Sequence, residues 1–197
     1  MKSQRLQLVL VMSLFSALIA AVAQTASNQT GIDPALLAKA SAGDVPAQVL
    51  VGDAYAAGNG QERTSKQLAA DYKLAAEWFR KAAEQGSVAG QIRLAALYRD
   101  GKGVARDMAQ AAEWYRKAAE QGDAGAQGTL GVLYSMGQGV ARSDVDAYYW
   151  LDLAARVKGP NQEKYAANRQ LVGTRITADE LADVQERVAA WLAAHPR

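Results

Sequence analysis

"AEWYRKAAEQG", Ala112 to Gly122, repeats "AEWFRKAAEQG", Ala76 to Gly86, with a single change in eleven positions, thirty-six residues apart. A chain that restates itself at a fixed period of this length encodes a stackable supersecondary unit rather than a single closed core. The rest of the sequence keeps the same register. Trp78, Trp114 and Trp150 are each 36 apart, as are Tyr98 and Tyr134, whereas Tyr55 precedes Tyr98 by 43. Each Tyr has Gln seven positions before it (Gln48, Gln91, Gln127). Each is followed by paired glycines: Gly58 and Gly60, Gly101 and Gly103, Gly137 and Gly139. The seven extra residues of the first unit therefore fall between Gly60 and Asp71, within 61–70.

Each unit reads as two helices. Helix A is expected over about 46–57, 88–100 and 124–136, ending where Gly can adopt positive φ. Helix B is expected over about 69–85, 108–121 and 144–157. Asp107 with Gln110, and Ser143 with Asp146, resemble capping boxes at its start. Gly86 and Gly122 close it. One such pair cannot bury its apolar face alone, so neighbouring units must stack. The three tryptophans share one place in the repeat, which points to core anchors rather than a ligand platform. Small pairs (Ala82–Ala83, Ala118–Ala119, Ala154–Ala155) permit close helix approach.

The turn "LGVLYSMGQGV", Leu130 to Val140, and the stretch "AALYRDGKGVARDMAQAAEWYRKAAEQG", Ala95 to Gly122, resemble Sel-1-like repeats, relatives of the tetratricopeptide repeat. The resemblance covers about Gly43 to Lys158. It implies an all-α, right-handed α–α superhelix of about three units (about 43–86, 87–122 and 123–158) and adaptor work in complexes. In bacteria it implies envelope signalling, cell-wall processes or host contact. The array is assigned to residues 33–158. The third unit departs after Trp150, where "LDLAARVK" replaces "RKAAEQG", as befits a unit facing a cap.

The flanks supply caps. Asp33 and Pro34 start a lone helix to about Ala42. Residues 159–197 are assigned to capping helices, one over about 162–172 and a last one from the Thr177–Glu180 capping box to about Ala194. Leu181, Val184, Val188, Trp191 and Leu192 share a face of that last helix. At the other end, Lys2 and Arg5, the apolar run Leu6–Ala20 and Ala21-Val22-Ala23 form a signal-peptide pattern. Cleavage after Ala23 is expected, giving a periplasmic or secreted chain with a polar lead-in over 24–32. An uncleaved anchor is the alternative, although the run is short for a span. Removing Lys2 and Arg5 from 22 basic residues leaves 20, matching the 20 acidic ones. A neutral, interspersed surface is no electrostatic footprint for nucleic acid. There is no Cys and one His.

Nothing in the sequence marks chemistry. Glu77–Lys81 and Glu113–Lys117 are i,i+4 pairs of a solvated helix face. "GKG" at Gly101–Gly103 lacks the phosphate-loop spacing. His195 stands alone near the C-terminus, so neither a zinc site nor a Ser/His/Asp triad is expected. No cofactor and no enzymatic activity are expected. The alternative, a cell-wall or β-lactam hydrolase or binding protein, rests on a link between cysteine-rich secreted relatives and penicillin binding. The absence of Cys weakens it.

Function is then expected where the units differ. In solenoids of the resembled kind, helix A lines the concave side. One face of helix A carries Leu50, Asp53 and Ala57, then Arg93, Ala96 and Asp100, then Thr129, Val132 and Met136. The candidate partner-binding residues for a protein or peptide are Asp53, Arg93, Ala96, Asp100, Thr129, Val132 and Met136.

Overall fold

The structure is a computed structural model that describes residues 31–58 and 63–196. The signal-peptide reading of 1–23, most of the lead-in and the tip of the insertion at 59–62 lie outside the described residues. Nine helices and no strand occur among the described residues. They are α1 (Pro34–Ser41), α2 (Val45–Ala56), α3 (Ser65–Glu84), α4 (Val88–Asp100), α5 (Met108–Glu120), α6 (Ala124–Met136), α7 (Asp144–Ala155), α8 (Gln162–Gly173) and α9 (Ala178–Ala194). None is long and apolar enough to cross a membrane. The protein divides into two compact units, to Ala82 and from Ala83.

Repeated sequence becomes repeated local geometry through its caps. A positive-φ Gly precedes an N-cap at Gly43–Asp44, Gly86–Ser87 and Gly122–Asp123. Each capping residue accepts from the amide three residues on, one of the orphan donors of a helix start. Helices α4 and α6 end alike, with Gly101 and Gly137 left-handed. The amides of Lys102 and Gln138 then close onto the carbonyls of Leu97 and Leu133. Asp107 and Ser143 cap α5 and α7 as expected, Asp107 accepting from two amides. The reciprocal box bond is present at Thr177–Glu180 and at Thr64–Gln67, not at Asp107 or Ser143. Asp146 instead accepts from the Ser143 hydroxyl.

In the first unit α1 packs on α2, and Ile32, assigned to the lead-in, is buried. Gly52 meets the ring of Phe79, which is fully buried on α3. The insertion is only partly a loop. α3 begins at Ser65, four residues before the expected start, with Gln67 Oε1 accepting from the Thr64 amide and hydroxyl. The helix thus runs past Asp71, the position that caps helix B in the next unit as Asp107. Relieved of capping, the buried Asp71 carboxylate pairs with Arg63. Burial, with the Asp71 charge second, pushes the nearby Tyr55 phenol up.

In the second unit α4 packs on α5, α5 on α6, α6 on α7 and α7 on α8, while α9 lies across α7. The core runs through Leu94, Ala95, Tyr115, Ala118, Leu130, Leu133, Trp150 and Leu153, joined by Val184 and Val188 of α9. Trp191 and Leu192, on the same face of α9, are half-buried beside it. A repeated glutamine ties each helix A to the preceding helix end. Gln91 Nε2 donates to Ala83 O, and Gln127 Nε2 to Ala119 O. Gln48 makes the same bond to Ala40 O within the first unit.

The tryptophan expectation needs correction. Trp150 is buried, but Trp78 and Trp114 are only half-buried, Trp114 packing against the core from its edge. The core position is the next residue, Phe79, Tyr115 and Leu151. The indoles lie along the edge of helix B under lysine ammonium groups, Lys81 over Trp78 and Lys117 over Trp114. Periodicity revealed a shared role; it did not reveal which side of the helix was covered.

Candidate interaction site

The face of α6 is where the candidate residues meet other elements. Thr129 turns inward on its own helix, its hydroxyl donating to Gly125 O at 2.8 Å. Val132 is half-buried and packs with Ala147, Leu151, Val172 and Tyr165. The expected open face is thus partly covered by α8, which sequence reasoning treated as a cap alone. The contact is made by Gly128, where any Cβ would enter the Tyr165 ring. Units one and two carry Val49 and Ile92 at that position. The third unit has no side chain there, which admits α8.

Polar bonds fix α8 in place. The buried Asp152 carboxylate accepts from Arg156 Nε at 2.8 Å and from Arg169 Nη1 of α8 at 2.6 Å. Gln162 Nε2 of α8 donates to Ala155 O, echoing the glutamine bond of the repeats. Beyond α8, Arg175 Nη2 lies 2.9 Å from Ser135 Oγ and 3.1 Å from Asp144 Oδ1.

Between α6 and α8 a pocket of about 180 Å³ remains. Its wall is the buried Leu151 and Val172 with the half-buried Val132, and Ser135 and Asn168 are the polar lining. Met136 and Leu171 form its lips and are 60% and 64% exposed, the most exposed of the large apolar side chains described. Uncovered side chains of this size around a pocket mark a contact surface more than a solvated face does. Leu171 was missed because nothing in its own helix pattern sets it apart. The signal was Gly128, which breaks the repeat on the face that α8 covers.

The remaining candidates are spread out. Arg93 is exposed and Ala96 half-buried on α4. Asp100 is exposed, but its carboxylate is engaged by Arg99 Nε at 2.8 Å and Lys102 Nζ at 4.0 Å. The Arg99 hydrogen bond, more than any other influence, holds it below the usual carboxylate range. It is therefore a neutralised cluster rather than an acidic spot. Asp53, on α2 in the first unit, is half-buried, and Leu50 on the same helix is exposed. A larger cleft, about 510 Å³, lies on the other face of α8, walled by Tyr148, Ala166, Ala167 and Leu181. Its guanidinium, Arg169, is already bound to Asp152. Among the described residues no group of three or more His, Cys, Asp or Glu could hold a metal ion.

Paired helices at a 36-residue period, each tied back by a buried glutamine, define an all-α solenoid of helix-pair repeats. The Sel1 repeat model matches residues 45–87, 88–123 and 124–156, and the chain belongs to the Sel1 repeat family. Sel1 repeat proteins generally mediate protein–protein interaction. Among solved structures, it is similar to a protective antigen of uropathogenic Escherichia coli displaying an SLR fold. That match has 30% identity and a TM-score of 0.57, over 80% of this chain and 40% of the antigen. The protein thus spans about two fifths of the length of that relative. It is also similar to a Sel1 repeat protein from Oxalobacter formigenes, with 35% identity and a TM-score of 0.55. Here the match covers 66% of this chain and 92% of the other. No curated protein matches this sequence.

Proposed function

We propose that this protein is a non-enzymatic adaptor exported to a bacterial cell envelope, where it holds another protein or peptide. The contact centres on the first-helix face of the third unit and the adjoining α8. The observation that carries this reading is the pair of uncovered apolar side chains, Met136 and Leu171, on either side of a pocket with a buried apolar wall. Export is supported by the signal-peptide pattern ending at Ala23. A protein partner is supported by the family's general role.

A photo-crosslinking amino acid placed in turn at Met136, Leu171 and Glu113 tests it in intact cells. Adducts with one partner from the first two positions, and none from the exposed Glu113 on α5, are expected. Their absence from both Met136 and Leu171 overturns the placement of the contact.

A further inference from the structure

We infer that the α6–α8 pocket selects a peptide segment with two adjacent features: one leucine-sized apolar side chain, and an Asp or Glu side chain on a neighbouring residue. The inference deepens the adaptor reading and rests on it.

The apolar half follows from size and lining. A volume of about 180 Å³ takes one aliphatic side chain and no aromatic pair. Its wall is Val132, Leu151 and Val172, and Met136 is an adaptable lip.

The acidic half follows from the charges beside it. Ser135 lines the pocket and its hydroxyl accepts from Arg175 Nη2. The same nitrogen faces Asp144, whose other oxygen lies 3.2 Å from Arg142 Nη2. One carboxylate thus answers two guanidinium groups, so this trio beside the pocket carries a net positive charge. Both of these contacts of Arg175 use Nη2, and its planar fork carries further N–H donors. The Arg175 side chain is 35% exposed, so an incoming carboxylate can reach it. The Ser135 side chain stands between the apolar wall and the guanidinium. The carboxylate that meets Arg175 therefore belongs to a residue next to the one filling the pocket, not to the same residue. That geometry favours an internal acidic side chain over a terminal carboxylate.

The test uses the full mature protein labelled with ¹³C-methyl methionine, followed by NMR. Four blocked seven-residue peptides are titrated: one with a central Leu-Glu pair, one with Ser for Leu, one with Gln for Glu, and one ending in Leu with a free carboxylate. The Leu-Glu peptide is expected to shift the Met136 methyl signal saturably. Loss of Leu should abolish the shift. Loss of the acid should weaken binding by about tenfold, as for a charge-assisted pair. Arg175→Gln should erase the Glu/Gln difference while keeping the Leu requirement. Leu171→Ala, at an exposed position, should weaken all binding without unfolding the protein. No shift at Met136, equal response to the Ser peptide, or stronger response to the free-carboxylate peptide each overturns the inference. Crosslinking from Met136 in cells combined with silent peptides overturns this chemistry alone and leaves the adaptor reading standing.

Discussion

The Lys117 ammonium sits 4.0 Å from the centroid of the Trp114 ring, and the same lysine pairs with Glu113 at 3.3 Å. In the second unit the repeated tryptophan is therefore a half-buried edge of the core roofed by a cation. Its neighbour Tyr115 is the buried anchor, with its hydroxyl taking a bond from Arg99 Nη1. Tyr115→Ala should destabilise the second unit by ~3–5 kcal/mol, as for core aromatic truncations. Trp114→Ala should cost only ~1–2 kcal/mol, because part of the ring stays in water. Urea melts of the two variants should separate in that order, and the reverse order would place the tryptophan in the core after all.

Gln127 is fully buried, donates to Ala119 O, and has no donor for its own Oε1. In the unit before, Gln121 Nε2 supplies that donor to Gln91 at 2.8 Å. Val157 occupies the matching place in the third unit. Gln127→Leu keeps volume and removes both the bond to Ala119 O, which still accepts from the Gly122 amide, and the orphaned Oε1, so a loss of only ~1 kcal/mol is expected. Gln121→Ala should cost ~1 kcal/mol by giving Gln91 the same orphaned oxygen. Denaturant midpoints at constant slope would measure both.

Gly139 has φ 71° and lies against the backbone of Met108 and Ala109, where a Cβ would overlap the Met108 carbonyl. The turn of the third unit is thus seated on the start of α5. Gly139→Ala meets both a left-handed backbone and a main-chain obstacle. A loss of ~2–4 kcal/mol is expected. Gly43→Ala, also at positive φ but with open space around it, should cost only the backbone part. A thermal melt in which both variants fall equally would show that close approach contributes nothing.

Asp152 binds two guanidinium groups from a buried position, but Arg156 and Arg169 are both partly exposed. Their charges return to water when the carboxylate is lost, which discounts the usual cost of breaking a buried pair. Asp152→Asn should cost ~1–3 kcal/mol on that discounted scale. It should also raise amide hydrogen exchange over α8 selectively, with α4 and α5 unaffected. Uniform loss of protection would mean that the bond supports the whole unit instead of α8.

The mature N-terminus should be Gln24. Sequencing of envelope-fraction protein checks it, and an intact Met1 there would contradict export by cleavage.

Helix positions, caps and the paired-helix repeat were readable because they depend on local chemistry. Gly before Ser or Asp, Tyr seven after Gln, and Gly at a left-handed turn act within a few residues of themselves. The face each residue presents depends on partners distant in sequence. Trp114 and Tyr115 are adjacent, and only the crossing of α4, α5 and α6 decides which one is buried. The repeat misled because the conspicuous invariant was the tryptophan. The true anchor changes from Phe79 to Tyr115 to Leu151. The candidate face was only partly legible for a similar reason. Helical spacing put Val132 and Met136 together, but not Leu171 and Asn168 from a later helix. The extra turn of α3 was hidden because the added residues between the two helices of the first unit carry no repeat register of their own.

One position also governs how such an array can lengthen. Arg80, Arg116 and Asp152 are equivalent, and Arg116 Nη2 donates to the Tyr134 hydroxyl in the following helix A. The sign of this side chain decides what may come next: an arginine greets a tyrosine of another repeat, an aspartate greets the arginine of α8. A duplicated copy of the second unit could be spliced in ahead of the third and find its neighbours already suited to it. The same copy added after Asp152 would set a tyrosine where the buried carboxylate needs a cation. Growth by duplication is therefore open in the middle of this protein and closed after its third unit.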